Sequence, residues 1–352
     1  IESQLILEYT LHRTCVGGNK GIQKDLDDGI DTIGKKMTVC QLYAKQIRHR
    51  GNVRYNTKNG RKRLMKLLEE DKLGGCPIDS VKLSDAKEWA IRMKEKGISY
   101  KTISNDKHSL KAAFYTAIQD DCIRKNPFDF QLNTVIEDDT EPKVPLTPAQ
   151  EESFLSFAQN DKVYQKYYDE LIILLGTGLR ISELCGLTDT DIDFENRIIN
   201  VDHQLLRSAE TGYYIETPKT KSGIRQIPMS EKVYEAFNRV LKRRRGAKAV
   251  TIDGYSNFLF LNRDGYPKTA TNYDGMFRGL AKKYNKYHEE ALPKVMTPHT
   301  LRHTFCTNMA NAGMNPKALQ YIMGHSNITM TLNYYAHATF DSAKAEMLRI
   351  AA

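Results

Sequence analysis

Apolar residues recur at spacings of three and four between Thr38 and Phe128. Four stretches carry this period, which is typical of amphipathic helices: "TVCQLYAKQI", "GRKRLMKLLEE", "LSDAKEWAIRMKEKG" and "YKTISNDKHSLKAAFYTAIQDD". Thr38 is a candidate N-cap for the first, because its hydroxyl can accept a hydrogen bond from an amide of the first turn. The pattern predicts a small all-α domain over residues 37–130.

The periodicity is lost on both sides of this domain. Residues 1–36 contain scattered glycines and weak periodicity, and we interpret them as an irregular lead-in. Residues 131–146 combine an acidic run with prolines, which is typical of a linker whose acidic residues are solvated. We therefore expect a second domain over residues 147–352.

Beyond Thr147 the pattern is mixed. "YYDELIILLGTGLRISELCGL" predicts a buried helix interrupted by Gly176 and Gly178, and Thr297 is expected to cap a helix that begins at Pro298. Three short alternating stretches predict strands: "NRIINVD", "GYYIETP" and "IRQIPMS". We expect the last two to form a hairpin across "KTKSG". Many helices with a small antiparallel sheet indicate a mainly α, α+β domain.

Composition excludes some classes of protein and favours another. The 352 residues contain no apolar run long enough to cross a membrane and no signal-peptide pattern, so we expect a cytoplasmic protein with no membrane partner. Six scattered cysteines without metal-ligand spacing indicate free thiols. The net charge of +9 is concentrated between Lys45 and Lys72, which favours binding to a polyanion such as nucleic acid. A solvated helix face would give the same charge pattern.

Several residues of the second domain carry candidate chemistry. Arg180 and Glu183 lie three apart on one helix face, although an ordinary ion pair would also have this spacing. In "TPHTLRHTF", His299 shares a face with Arg302 and lies four residues before His303. The two histidines have a zinc-like spacing, but the glutamate of H-E-x-x-H and any third ligand are absent, so we expect no metal. We expect His303 to be packed or hydrogen-bonded on the opposite side of the helix.

The C-terminal part adds an imidazole and a phenol: "MGHSN" contains His325, and "TLNYYAHAT" contains Tyr334 and Tyr335. Two arginines suit the non-bridging oxygens of a phosphodiester, since planar guanidinium groups orient and neutralise it. A phenol with a pKa of about 10 needs a proton acceptor and cationic surroundings before it attacks phosphorus. Lys219 and Lys221 are the candidate acids. These residues alone do not decide between the two tyrosines.

In this order the motifs resemble those of the tyrosine recombinases, the phage integrase family. The matching positions are Arg180 in "TGLRISEL", Lys219 in "PKTKSG", His299 and Arg302 in H-x-x-R, His325 after Gly324, and Tyr335 with His337 in Y-x-H. The sequence in and around these motifs, such as "QLYAKQ" and "NYYAHATFDSA", is similar to that of integrases of conjugative transposons. The resemblance extends from about Asp25 to the C-terminus.

The resemblance implies a fold, a reaction and a set of roles. Residues 37–130 would be a SAM-like helical core-binding domain and residues 147–352 the catalytic domain, closing as a clamp on duplex DNA. Tyr335 would be the nucleophile and form a 3′-phosphotyrosine, while Tyr334 packs. Arg180, Arg302 and His325 would hold the phosphate, His299 would act as acid/base, Lys219 would protonate the 5′-oxygen and Glu183 would orient the site. Eight basic residues would contact DNA: Arg54, Lys58, Arg61, Lys62, Arg63, Lys101, Lys107 and Lys111.

The same resemblance implies partners. Integration and excision of a mobile element would proceed without metal, ATP or another cofactor, in a homotetramer on double-stranded DNA, assisted by an excisionase or a DNA-bending protein. The protein would be nucleoid-associated in a bacterium when bound to DNA. We expect residues 1–36 to be a remnant of an arm-binding domain, too short to bind arm-type sites. A type IB topoisomerase and a catalytically inactive DNA-binding regulator are the competing interpretations, which a covalent-adduct assay and the joining of two duplexes would separate.

Overall fold

A computed structural model describes residues 34–51, 53–141, 144–244, 250–335 and 347–348. The chain divides into two compact units, Ile1–Glu141 and Pro142–Ala352. The expected fold class is confirmed, because the molecule is mainly helical with small antiparallel sheets. The predicted lead-in lies outside the described residues except for Gly34–Lys36. Within the described part of the chain, no helix has the length and apolar character needed to cross a membrane.

The first unit is built from helices that coincide with the four predicted stretches. Thr38 caps the first of them, since its side chain accepts from the Gln41 amide while the Gln41 side chain accepts from the Thr38 amide. Ser99 caps the last in a similar way, accepting from Thr102. The helices are α1 (Val39–His49), α2 (Tyr55–Glu69), α3 (Leu83–Glu95) and α4 (Tyr100–Gln119).

An aromatic group lies at the centre of this unit. Trp89 and Phe128 meet edge to face with ring centroids 5.8 Å apart, and Phe114 packs on Phe128 at 5.3 Å. Such pairs add to the large area that aromatic rings bury. Leu132 and Ile136 join the same core, so the first part of the predicted linker packs against the helices and is not a free connection.

The second unit contains helices packed around two small sheets. Its core includes Phe154, Leu174, Phe237, Tyr273 and Phe277, all fully buried. The helices are α5 (Pro148–Asn160), α6 (Tyr168–Thr177), α7 (Ile181–Gly186), α8 (Glu231–Arg244), α9 (Ala270–Tyr287), α10 (Pro298–Asn311), α11 (Pro316–Met323) and α12 (Thr329–Leu332). The strands are β1 (Ile192–Asp193), β2 (Ile198–Val201), β3 (Gln204–Ser208), β4 (Gly212–Glu216) and β5 (Arg225–Pro228).

The predicted hairpin across "KTKSG" is wrong. Strand β4 pairs with β3, whereas β5 pairs with β2, so this segment connects two different sheets. Burial explains the pairing of β5, because Arg225 and Ile227 point inward and face Val201 and Ile199 of β2. The hairpin turn lies between β3 and β4 instead, where Gly212 has a φ of +71°.

The predicted break in the "LLGTGLR" helix is only partly correct. Gly176 lies within α6, where a Cβ would meet a Val233 methyl at 2.4 Å, so this glycine permits close packing rather than a break. The helix ends at Thr177, and Gly178 follows in the left-handed region with a φ of +62°. This turn directs the chain into α7 and places Arg180 at its start. Thr297 and Pro298 begin α10, as predicted.

Candidate active site

Arg180 and Glu183 meet at the start of α7. Arg180 is the N-cap residue, and its backbone amide donates to Glu183 Oε2 at 2.8 Å. Its guanidinium Nη1 donates to Glu183 Oε1 at 2.7 Å and Nη2 to the Gly324 carbonyl at 3.0 Å. The local ion pair considered from the spacing therefore exists, and it also ties Arg180 to a turn 144 residues away.

A second arginine completes the surroundings of Glu183. Arg225 donates from Nη2 to Oε2 at 2.9 Å and from Nη1 to Oε1 at 3.1 Å. Neither Glu183 nor Arg225 is exposed to solvent. Burial raises the pKa of Glu183, but hydrogen bonds and charges of Arg225, with Arg180 and Arg302, outweigh it and lower the pKa to about 2. Glu183 is thus a buried carboxylate.

Arg302 approaches from α10 and is 3% exposed. Its guanidinium donates to the carbonyls of Gly178 and Met323. Burial lowers its pKa to about 9, and the neighbouring Arg180 acts in the same direction. With a pKa of about 9 the Arg302 guanidinium remains charged near pH 7. Arg180 and Arg302 therefore form a positively charged site suited to a phosphate.

The end of α11 receives all three arginines. Three consecutive carbonyls accept from different guanidiniums: Ile322 from Arg225, Met323 from Arg302, and Gly324 from Arg180. A helix leaves its last carbonyls without helical partners and carries partial negative charge at that end. The arginine cluster thus satisfies the carbonyl end of α11, directly before His325.

His325 follows the left-handed Gly324 and is 5% exposed. Burial lowers its pKa to about 4, reinforced by the charges of Arg302, Arg180, Arg225 and His299. The ring is therefore neutral near pH 7. Its Nδ1 lies 2.9 Å from the hydroxyl of the buried Thr331. When that hydroxyl donates to Nδ1, the ring proton resides on Nε2 and can be donated to an anion.

His299 and the lysines lie at the exposed rim. His299 occupies the first turn of α10, is exposed and acts electrostatically on His325. Lys219 and Lys221 are also exposed and belong to the connection between β4 and β5. That connection is compact, because a Cβ on Gly223 would lie 2.3 Å from Pro218. His299 therefore lies close enough to His325 to act on it electrostatically, whereas the described residues show no contact between either lysine and the arginine cluster.

The two tyrosines have different surroundings. The Tyr335 hydroxyl donates to the Met314 carbonyl at 2.5 Å. The Tyr334 ring packs on His303, with centroids 4.8 Å apart. Burial raises the pKa of both phenols, but the charge of Arg302 opposes this rise at Tyr334 alone. His337 of the Y-x-H motif lies outside the described residues.

One group of possible metal ligands lies elsewhere in the described part of this unit: Asp191, Asp202 and His203. His203 Nδ1 bonds Asp202, and its Nε2 lies 2.8 Å from the Gly186 carbonyl. Asp191 accepts from the amide and hydroxyl of Thr188. These side chains already hold the end of α7 and the following turn, so their arrangement has a structural explanation.

Residues 145–342 match the model of the phage integrase family. The chain belongs to the phage integrase family. This recombinase is 69% identical over 341 residues to the transposase of transposon Tn916 from Enterococcus faecalis, a match that covers 96% of this chain and 84% of that one. The transposase of Tn1545 from Streptococcus pneumoniae has the same identity and coverage.

Solved structures agree with this assignment. The Tn1549 transposon integrase in complex with circular intermediate DNA is 78% identical, with a TM-score of 0.85 over 89% of this chain and 99% of that one. A complex of the same integrase with transposon right end DNA matches 90% of this chain and 100% of that one, also with a TM-score of 0.85. The lambda integrase dimer on a core site, 16% identical with a TM-score of 0.58, shares the fold. This recombinase cleaves and rejoins DNA as an enzyme of the tyrosine type.

Sequence reasoning missed Arg225 and Thr331 near the active site of this recombinase. Arg225 could have been recognised because strand alternation places it on the same side as the apolar Ile227. Thr331 lies six residues after His325 and has no distinguishing local signal. Both contacts depend on tertiary structure.

The eight predicted DNA-contact residues lie on α2 and α4 or at the N-cap of α2, but they are not equivalent. Lys58, Lys62, Arg63 and Lys101 are exposed, whereas Arg54, Arg61 and Lys111 are half-buried. Arg63 also bonds the buried Asp106, and Lys111 bonds Asp129. A DNA-binding role for the exposed residues stays a prediction.

Lys107 differs from the others because it is 5% exposed. Its ammonium lies 4.6 Å from the Phe130 ring centroid, and burial lowers its pKa. The expectation that Lys107 contacts DNA directly is therefore wrong for the conformation described. Its position between Ile103 and Leu110 on the buried face of α4 explains why.

Proposed function

We propose that this recombinase moves a conjugative transposon-like element by attacking one phosphodiester with a tyrosine. The tyrosine oxygen forms a bond to phosphorus, the bond from phosphorus to the 5′-oxygen breaks, and the departing oxygen takes up a proton. A 5′-hydroxyl of another strand then reverses the step and releases the tyrosine. The phosphodiester energy is retained in the covalent intermediate, so the reaction requires no ATP. The arginines supply the positive charge that a metal would otherwise provide, so the proposed reaction requires no metal.

The observation that carries this proposal is the convergence of Arg180 and Arg302 on the carbonyl end of α11, directly before His325. Preorganised positive groups stabilise the charge that develops on a transferring phosphoryl group. We assign Arg180, Arg302 and the Nε2 proton of His325 to the non-bridging oxygens. His299, at the exposed rim, acts as acid/base, and Glu183 orients Arg180.

We assign the nucleophile to Tyr334, in place of Tyr335 as predicted from the Y-x-H pattern. One solved Tn1549 complex carries an arginine-to-lysine substitution, and another carries a tyrosine-to-phenylalanine substitution 154 positions further along. Arg180 and Tyr334 have this separation here, whereas Ile181 stands 154 positions before Tyr335. Replacing tyrosine by phenylalanine removes only the hydroxyl, the change expected at a nucleophile.

The surroundings of the two phenols support the same assignment. Burial raises the pKa of both phenols, but only at Tyr334 does the charge of Arg302 oppose that rise. A nearby cation favours the phenolate that attacks phosphorus. The Tyr335 hydroxyl is engaged by a backbone carbonyl. The Tyr334 ring lies against His303, with ring centroids 4.8 Å apart.

The test uses a nicked duplex that carries the end sequence of the element, with protein–DNA adducts separated on denaturing gels. Wild-type protein and Tyr335→Phe should form the adduct, in excess chelator as well, and Tyr334→Phe should form none. An adduct from Tyr334→Phe but not from Tyr335→Phe would return the nucleophile to Tyr335. Loss of activity in chelator, restored by Zn²⁺ or Mg²⁺, would refute the metal-free reaction.

The solved Tn1549 complexes contain circular intermediate DNA and right end DNA, which makes the element's own ends the first duplexes to use. We further propose that reciprocal exchange takes place in a homotetramer, because two duplexes exchanging both strands require four active sites. An excisionase or a DNA-bending protein would bias the direction. Sedimentation of protein mixed with two end duplexes measures the assembly.

A further inference from the structure

Arg225 joins three elements of the active site although it has no assigned role. Its side chain has 0% solvent exposure. It donates to both oxygens of Glu183, to the Gly223 carbonyl at 3.0 Å and to the Ile322 carbonyl. These acceptors belong to α7, to the connection between β4 and β5 that carries Lys219 and Lys221, and to the end of α11. That connection is called the lysine-bearing connection below. One guanidinium thus binds the elements that carry Arg180, Lys219 and His325.

The charges around Glu183 indicate what Arg225 contributes. Glu183 pairs with Arg180 at 2.7 Å and with Arg225 at 2.9 Å. With Arg225 present, the guanidiniums of Arg180 and Arg225 share the carboxylate of Glu183, so the three side chains together carry a net positive charge. Without Arg225, Glu183 would neutralise Arg180 alone. Since a buried carboxylate requires compensation, Arg180 would be drawn further toward it and away from a phosphate.

The packing around Arg225 also limits how the site can move. A Cβ on Gly324 would lie 3.1 Å from Arg225 Nη1 and 3.0 Å from the Ser222 carbonyl. The turn before His325 therefore rests directly on Arg225 and on the lysine-bearing connection. A shift of Arg225 would displace His325 and that connection together.

We propose that Arg225 is a positioning residue for strand cleavage. By sharing Glu183, it leaves the positive charge of Arg180 available to the scissile phosphate, and it holds the lysine-bearing connection against the His325 turn. This inference rests on the proposed function. It predicts that Arg225 affects the rate of adduct formation through Glu183, whereas a purely structural ion pair would affect stability alone.

A second ion pair to a buried carboxylate in the same unit, with a more exposed arginine, provides the control. Asp169 is 1% exposed and bonds Arg239 Nε at 2.8 Å. This pair connects α8 to α6 and has no contact with the arginine cluster in the described structure. Arg239→Gln should reduce stability without changing the rate constant of adduct formation.

The experiment measures single-turnover adduct formation on the nicked duplex with protein in saturating excess. Because the DNA is limiting and saturated, the rate constant reports the folded, bound protein and does not depend on the folded fraction, which urea unfolding followed by circular dichroism measures separately. Arg225→Gln should be ~10²-fold slower than wild type, the effect typical of losing one preorganised electrostatic group. Arg225→Lys, which keeps the charge, should be intermediate. Arg225→Gln combined with Glu183→Gln should regain ~10-fold, because no carboxylate remains to divert Arg180.

Three results would overturn the inference: wild-type rate constants in Arg225→Gln, a double variant no faster than Arg225→Gln, or an equal slowing in Arg239→Gln. If Arg225→Gln does not fold, the double variant is compared with wild type in its place. The double variant should then be only ~10-fold slower than wild type, and a loss of ~10²-fold contradicts the inference. Absence of adduct in the wild type would instead refute the proposed function.

Discussion

The low pKa of His325 predicts that acid destabilises the second unit through this residue. In the unfolded chain a histidine titrates near pH 6.5. In the folded protein burial, together with Arg302, Arg180, Arg225 and His299, lowers the pKa to about 4. The unfolded chain therefore binds the proton first, and the free energy of unfolding falls as pH drops from 6.5 towards 4.

The size of the effect follows from the two pKa values. Their difference corresponds to about 3 kcal/mol when both states are fully protonated, at 1.36 kcal/mol for each pH unit. Between pH 7.5 and pH 5.0 the folded ring stays mostly neutral, and the loss is about 2 kcal/mol. His325→Asn removes this titration, so the variant should lose about 2 kcal/mol less stability than wild type over the same interval.

Urea unfolding at the two pH values measures the difference. Trp89 is the single tryptophan and lies in the core of the first unit, so its fluorescence follows that unit. Circular dichroism follows both units, and the transition not seen by fluorescence belongs to the second. His108→Asn, at an exposed position of α4, controls for loss of a histidine as such.

This reasoning would be refuted if the free energy of unfolding of the second unit fell equally between pH 7.5 and pH 5.0 in wild type and in His325→Asn. A pKa of His325 above 6, measured by nuclear magnetic resonance in the folded protein, would refute it independently. Either result would mean that the arginine cluster does not oppose protonation of the ring. His325 could then bind the phosphate as a cation.

Three further predictions concern the reaction and the DNA. Lys219→Ala should cleave a normal strand ~10²–10⁴-fold more slowly than wild type, and a strand with sulfur at the 5′-bridging position should restore the rate because that leaving group needs little protonation. Arg180→Ala should be slow on both strands. If the sulfur strand rescues Lys221→Ala and not Lys219→Ala, the acid is Lys221. Thr331→Val should slow adduct formation ~10-fold, because the hydrogen bond between the Thr331 hydroxyl and His325 Nδ1 is lost. Thr331→Ser keeps the hydroxyl and should retain the wild-type rate. Equal rates in the two variants would contradict a role for this hydrogen bond. Lys58→Gln and Lys62→Gln should each reduce the salt dependence of DNA binding, measured by fluorescence anisotropy, by about one phosphate contact; a similar reduction in Lys107→Met would contradict the burial of that residue.

Local sequence signals predicted the helices well because their causes are local. Thr38 and Thr297 each begin a helix where a capping residue precedes an apolar period. Arg180, Arg302 and His325 lie together around the end of α11. Arg180 lies more than a hundred positions before the other two along the chain, so no local pattern could place it beside them.

The strand pairing could not be predicted in the same way. Whether β5 pairs with β4 or with β2 depends on which surface buries Ile227 and Arg225, and this is decided by long-range packing. Lys107 is different, because its spacing from Ile103 and Leu110 already indicated the buried face. The choice between adjacent tyrosines depends on a one-residue register, which periodicity cannot decide when both positions are tyrosine.

The docking of three arginines on the end of α11 has a consequence for synthesis of the protein. The bonds from Arg180 to Gly324 and from Arg302 to Gly178 join residues 144 and 124 positions apart. Contacts of such long range form only after the intervening chain has been ordered. A growing polypeptide that has passed Arg180 but not yet emerged to Gly324 cannot assemble the phosphate-binding cluster. Ribosome-bound chains of this protein should therefore be unable to nick the genome that encodes them.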